Sequence, residues 1–156
     1  MSLPVLAVDT QIVMIGCRMS DREPRAGHCA LLQAFRDKAL LALDKHTRQE
    51  YDNKLGATSE GRYWLKQLGS DDRIEFYQTV PKEKKKTKVA LGKVGFGGGD
   101  LKFVRLALAT NTRRLIAEET HFVNVASLLR KEEGVIIHDA DSACSFLGNP
   151  PDDSSV

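Results

Sequence analysis

The chain has 156 residues, a length that suits one domain with a single buried core. Its 42% hydrophobic and 28% charged content marks a globular sequence, and 23 basic against 21 acidic residues exclude any case for nucleic-acid binding from bulk charge. No apolar run approaches the roughly 20 residues that a bilayer demands, and Met1-Ser2-Leu3-Pro4 lacks the basic-then-apolar order of a secretory leader, so a cytoplasmic protein without membrane contact is expected.

Val5-Leu6-Ala7-Val8 is a short apolar run ending at Asp9, the pattern of a strand buried on both faces. Asp9-Thr10 then offers a cap to the apolar stretch Ile12 to Ile15, and Gly16 offers a stop. Arg22 to Lys38 reads as a helix, with Ala30, Leu31, Ala34 and Phe35 at helical spacing. Ala39 to Leu43 predicts a second strand, Lys45 to Leu55 a helix stopped by Gly56, and Thr58-Ser59-Glu60 the start of another helix reaching Gly69. Ile74 to Phe76 fits either a strand or a loop. After the Gly95-Phe96-Gly97-Gly98-Gly99 breaker, Asp100 stands as a helix N-cap, with Phe103, Val104, Ala107 and Leu108 behind it as an apolar stripe. Leu115-Ile116-Ala117 predicts a further strand ending at Glu118-Glu119, Val123 to Arg130 a helix, and Val135-Ile136-Ile137 another strand. Residues 149–156 form a polar, proline-containing tail expected to be flexible, which leaves 1–148 as the domain.

Strands alternating with helices predict a three-layer α/β/α fold around a mostly parallel sheet. Such sheets bind ligands beyond the carboxyl ends of their strands. Asp9 and Glu119 follow two strands there, and Asp100 opens the helix leading to the second of them. Each acid alone has a plain reading as a cap or a solvated charge. Gathered together they repel one another, and a hard divalent cation resolves that conflict. With oxygen donors and no cysteine nearby, magnesium or manganese suits the set better than zinc.

The order of these segments resembles the PIN-domain family of metal-dependent ribonucleases, from about Val5 to Leu147. The likeness is carried by Val5-Leu6-Ala7-Val8-Asp9-Thr10, by Leu40 to Leu43 followed by Glu50-Tyr51, by Gly99 to Ala109, and by Leu115-Ile116-Ala117-Glu118-Glu119-Thr120-His121-Phe122. It implies a PIN-like fold whose catalytic acids are Asp9, Glu50, Asp100 and Glu119, with Asp9, Asp100 and Glu119 as ligands to Mg2+ or Mn2+. The implied activity is endoribonuclease cleavage of RNA, as a toxin of a toxin–antitoxin pair with an inhibitory antitoxin-type partner and a homodimeric state. Two positions depart from the family pattern: Glu119 replaces the commoner Asp, and Ala117 stands where Thr or Ser is usual. They motivate the alternative of a catalytically weakened PIN-like module that binds RNA or protein.

Other features have plainer readings. Lys82, Lys84, Lys85, Lys86 and Lys88 read as a solvated face, with phosphate contact as the functional alternative. Tyr63, Trp64 and Tyr77 read as packing residues, with base stacking as the alternative. His121 is a rim or core histidine with a minor claim on substrate, and His138-Asp139 lacks the partner motif of a two-metal hydrolase. The three cysteines, Cys17, Cys29 and Cys144, show no metal spacing and are expected as buried reduced thiols.

Overall fold

The computed structural model describes residues 2–148; the expected C-terminal tail lies outside them. Five parallel strands form one sheet: β1 (Val5–Val8), β2 (Leu40–Asp44), β3 (Ile74–Tyr77), β4 (Arg114–Ile116) and β5 (Ile136–His138). Their order across the sheet is β3-β2-β1-β4-β5. Among the described residues seven helices connect them and an eighth follows β5: α1 (Thr10–Gly16), α2 (Ala26–Asp37), α3 (Lys45–Leu55), α4 (Glu60–Ser70), α5 (Lys85–Lys93), α6 (Gly98–Ala109), α7 (Thr120–Glu133) and α8 (Ala140–Phe146).

All four residues of β1 are buried, as only a strand covered on both sides can be. Helix α6 packs on β1, β2 and β4, while α2 packs on β2 and gathers α1, α4 and α8 around it. Helices flank the sheet in the expected three-layer α/β/α arrangement, consistent with a PIN-like fold. Within the core, Phe35 of α2 meets Trp64 of α4 edge-on with ring centroids 6.0 Å apart, and the Trp64 indole N–H donates to Leu32 O at 2.9 Å. Such a buried indole needs that acceptor, and the satisfied N–H makes Trp64 a packing residue. Tyr63 beside it is exposed.

The differences from expectation have local causes. Helix α2 starts at Ala26 rather than Arg22, because Arg25 is extended (φ −84°, ψ 165°) and its N–H donates to His28 Nδ1 at 2.9 Å, closing a capping box. Helix α6 starts at Gly98 with Gly97 as N-cap, so Asp100 is a first-turn residue and not the cap. An acid there still faces the positive end of the helix dipole. The ambiguous segment at Ile74 is the edge strand β3, in parallel register with β2 from Leu41↔Ile74 to Asp44↔Tyr77. Helix α7 runs past its predicted end to Gly134, whose φ of +69° provides the left-handed stop that glycine adopts without strain. Helix α8 was hidden by its shortness, though Ala140, Ala143 and Cys144 bury one face at helical spacing. Of the cysteines only Cys144 is buried; Cys17 is half-buried and Cys29 exposed, because the α1–α2 face carrying them borders solvent. No described helix is long and apolar enough to cross a membrane.

Candidate metal centre

Chain order reverses direction across the sheet between β1 and β4: from β1 the chain runs outward through β2 to β3, then returns to β4 and runs outward to β5. In open parallel sheets the crevice at such a switch point is where ligands bind. Asp9 leaves β1 there, and its N–H donates to Ile116 O of β4 at 2.9 Å, so the two strand ends stay joined up to the acid. Glu119 follows β4 on the same rim as the residue before α7.

The neighbouring helices are pinned to this rim. Tyr51 of α3, fully buried, donates its hydroxyl to Val8 O at 2.6 Å, which fixes the preceding residue, Glu50, beside the end of β1. Thr10 Oγ1 donates to Glu50 Oε2 at 2.5 Å. From the other side α6 brings Asp100, whose Oδ2 lies 3.1 Å from His121 Nε2; His121 Nδ1 is 3.9 Å from Glu119 Oε2. Phe96 and Phe122 form the apolar backing behind that histidine.

Asp9 is the member under most stress. It occupies the N-cap position of α1 in extended conformation, yet its side chain makes no capping hydrogen bond. It is only 5% exposed. Burial pushes its carboxyl up to about 7, and the charges of Glu119, Glu50 and Asp100 push the same way against the opposing pull of Lys54. The four acids singled out in the sequence therefore act on one point. Glu50 is in a different condition: burial would raise its pKa, but hydrogen bonds from Lys102 and Thr10 and the charge of Lys54 hold it below the ordinary value.

Carboxylate oxygens around an uncapped acid are the donors a hard divalent cation accepts, although the His121 imidazole lies between two of them. The cage is not closed in the described arrangement: among the described residues no three His, Cys, Asp or Glu side chains gather tightly enough to grip an ion. Asp100 leans to His121, and Glu50 leans to Lys102 at 2.8 Å.

Glu118, to which the sequence assigns no role, is the most heavily bonded acid of the region. Its Oε2 accepts from Arg25 at 2.7 Å and from the Ala140 N–H at 2.9 Å, its Oε1 lies 2.9 Å from His28 Nε2, and Arg22 stands at 3.4 Å. Burial opposes its charge, but the His28, Ala140 and Arg25 hydrogen bonds win and hold the carboxyl down to about 2. Only the doubled Glu-Glu in the sequence hinted at two roles. An open cavity of about 520 Å³ lies between Glu118 and the rim, lined by Gln11, Arg22, Glu118, Glu119 and Thr120. His138, by contrast, contacts Arg114 and Ser142, and Asp139 caps α8 through the Ser142 N–H, so that pair is structural.

No protein-family model matches this chain, and no curated protein matches it. Among solved structures it is similar to the crystal structure of VapBC2 from Rickettsia felis bound to a DNA fragment from their promoter. The likeness has 12% identity and a TM-score of 0.45, and covers 86% of this chain and 98% of that one. The functional reading rests on the carboxylates themselves.

Proposed function

We propose that this protein is a divalent-metal-dependent nuclease, with Asp9, Asp100 and Glu119 as the metal-holding acids and Glu50 completing the acidic wall. The observation that carries the reading is the buried, uncapped Asp9 carboxylate at the β1/β4 switch point, with three further carboxylates acting on it. A protein keeps such repulsion where a cation answers it. A magnesium or manganese ion held by Asp9, Asp100 and Glu119 would supply Lewis acidity at a phosphodiester and would lower the pKa of a water there. Thr10 and Tyr51 orient the wall around Asp9, and Phe96 and Phe122 back one side of it with apolar surface. RNA is the substrate that the sequence resemblance implies, and the same resemblance supplies a toxin role, an antitoxin-type partner and a homodimer as parts of the proposal. The lysines of α5 and the segment before it offer phosphate contacts, although Lys84 and Lys86 are paired to Glu132.

The open cage, together with Glu119 and Ala117, favours one second reading, a module that binds RNA without cutting it. Incubating the protein with mixed single-stranded and structured RNAs separates the two. Cleavage that requires Mg2+ or Mn2+, stops with chelator and falls at least about 100-fold in Asp9→Asn and in Asp100→Asn is expected. Cleavage that persists in both variants sinks the metal-site mechanism, and RNA binding without cleavage establishes the module.

A further inference from the structure

Helix α5 runs up to the acidic rim from the far end of α7. At its start the Lys84 N–H and the Thr87 hydroxyl donate to Glu133 Oε2, at 3.1 and 2.5 Å, and Glu133 is the last residue of α7. Past its end the Phe96 N–H donates to Leu91 O at 3.0 Å, and the Phe96 ring meets Phe122, in the first turn of α7, with centroids 5.4 Å apart. The two helices are therefore antiparallel, and the C-terminal end of α5 arrives beside His121, which contacts Asp100 and Glu119. Thr87 and Leu91 form the buried side of α5. Its opposite side carries Lys85, Val89 and Lys93 at four-residue intervals, with Lys88 next to them, and all four are exposed.

The acids closest to α5 are already engaged. Glu83 is held by Arg105 at 2.8 and 2.9 Å, with the charge of Lys88 acting on it as well. Glu132 faces Lys84 and Lys86, and Glu133 accepts from Lys84 and Thr87. Among the described residues no ion pair involves Lys85, Lys88 or Lys93. Three unanswered cations thus line about 12 Å of helix and point towards a rim whose carboxylates would repel a phosphate. A strand brought to that rim needs cations beside it to hold it there. An acidic protein would match the charge too, but a protein interface needs an apolar centre, and Val89 with Val94 at the helix end offers little of one.

We propose that Lys85, Lys88 and Lys93 form a track for the phosphate backbone of an RNA strand, which they lead along α5 to the rim, with Lys93 nearest the acids. This rests on the RNA-binding reading above, and it leaves Lys84 and Lys86 outside the track. Contacts to phosphate alone read no sequence, so the track sets position and not choice of target.

Fluorescence anisotropy of a labelled single-stranded RNA of mixed sequence, titrated in chelator at several KCl concentrations, tests the inference apart from cleavage. Replacing Lys85, Lys88 and Lys93 together by Gln, a residue of similar helix propensity, should weaken binding at least about 10-fold at 0.1 M salt. It should also flatten the slope of log affinity against log salt by about 2, since each contact to a single strand contributes roughly 0.7. Val89→Lys, which fills the gap in the track, should tighten binding and steepen the slope by about 0.7. Replacing Arg36, Lys38 and Lys66, surface cations of the α2 and α4 side, by Gln should change affinity less than threefold. The proposal is overturned by an unchanged slope in the triple α5 variant with a wild-type circular dichroism spectrum, by an equal loss in the α2 and α4 control, or by no RNA binding in the wild type. RNA binding that follows these shifts without any metal-dependent cleavage removes the nuclease reading and leaves the track standing. Cleavage that the triple α5 variant performs with an unchanged KM does the reverse.

Discussion

The two central strands and the two that flank them end in the same way in sequence, with an acid before a helix, and differ in what the acid does. Asp44, at the end of β2, accepts from the Thr47 N–H at 2.9 Å and the Thr47 hydroxyl at 2.7 Å. Asp139, after β5, accepts from the Ser142 N–H at 2.7 Å. Asp9 after β1 and Glu119 after β4 hold the same N-cap positions, in the same extended backbone region, and make no capping bond. The flanking acids spend their charge on helix N-termini; the central pair keep theirs. What distinguishes them is position in the sheet, since only the β1 and β4 ends adjoin at the switch point. An unspent cap at that place is a better sign of function than the acid itself.

The sharpest break of this comparison comes from the residue next to Glu119. Removing Glu118 in Glu118→Ala leaves Arg25, His28 and the Ala140 N–H without their shared acceptor. Breaking a buried pair from one side costs several kcal/mol, and with Arg25 half in water the expected loss is about 3 kcal/mol. Urea denaturation measures it. Mn2+ binding in the folded fraction should be nearly unchanged; a large loss of metal affinity with little loss of stability would exchange the roles assigned to Glu118 and Glu119.

Next in size is a pair of substitutions with opposite signs. Asp44→Asn weakens a satisfied cap, and the loss of charge-assisted bonds to Thr47 should cost about 1 kcal/mol. Asp9→Asn relieves burial and repulsion and should stabilise the metal-free protein by about 1–2 kcal/mol at pH 8. The sign follows from linkage: the Asp9 carboxyl rises on folding from 3.8 to about 7, so the folded form binds the extra proton between those values. Its contribution is full below pH 3.8 and is lost as pH rises through about 7. The benefit of the asparagine is therefore absent near pH 4 and present above pH 7, and saturating Mn2+ should reverse it. Melting curves at both pH values, with and without metal, decide the matter. An Asp9→Asn protein less stable than wild type at pH 8 without metal would make Asp9 an ordinary structural acid.

Much of this contrast was legible in the sequence, and part was not. Strand β1 announces itself as an apolar run with an acid behind it, because a strand covered on both faces is apolar throughout, and β4 does so through Leu115 and Ile116. Strand ends plus resemblance pointed to Asp9, Glu50, Asp100 and Glu119 as one set, and the charges of the last three do act on Asp9. The direction in which Glu118 points did not, because its partners Arg25 and His28 lie some ninety residues away and neither carries a pattern. The Lys102–Glu50 pair is hidden for the same reason, as it joins the packed helices α6 and α3 with no spacing to betray it. Helix α6 starts earlier than its three leading glycines suggest, because Gly98 and Gly99 enter the helix and only Gly97 stays outside.

Glu119→Asp probes the smallest difference, one methylene. Glutamate at an N-cap is too long to reach back to the first-turn N–H groups, and Glu119 leaves them uncapped. Aspartate at this position can cap α7, for a gain of about 0.5 kcal/mol in the metal-free protein. Among the charges acting on Asp9, that of Glu119 is the largest, so the longer side chain already reaches the shared point. Shortening it draws charge away from Asp9 and offers that charge to the helix, and Mn2+ affinity should fall by roughly threefold, equivalent to about 0.6 kcal/mol. Calorimetric titration of both proteins reads the change. A rise in affinity would mean that the rim was shaped for aspartate and that Glu119 loosens it, in favour of the binding module over the nuclease. A fall without any gain in metal-free stability would mean that even an aspartate stays unspent beside β4, as Asp9 does beside β1.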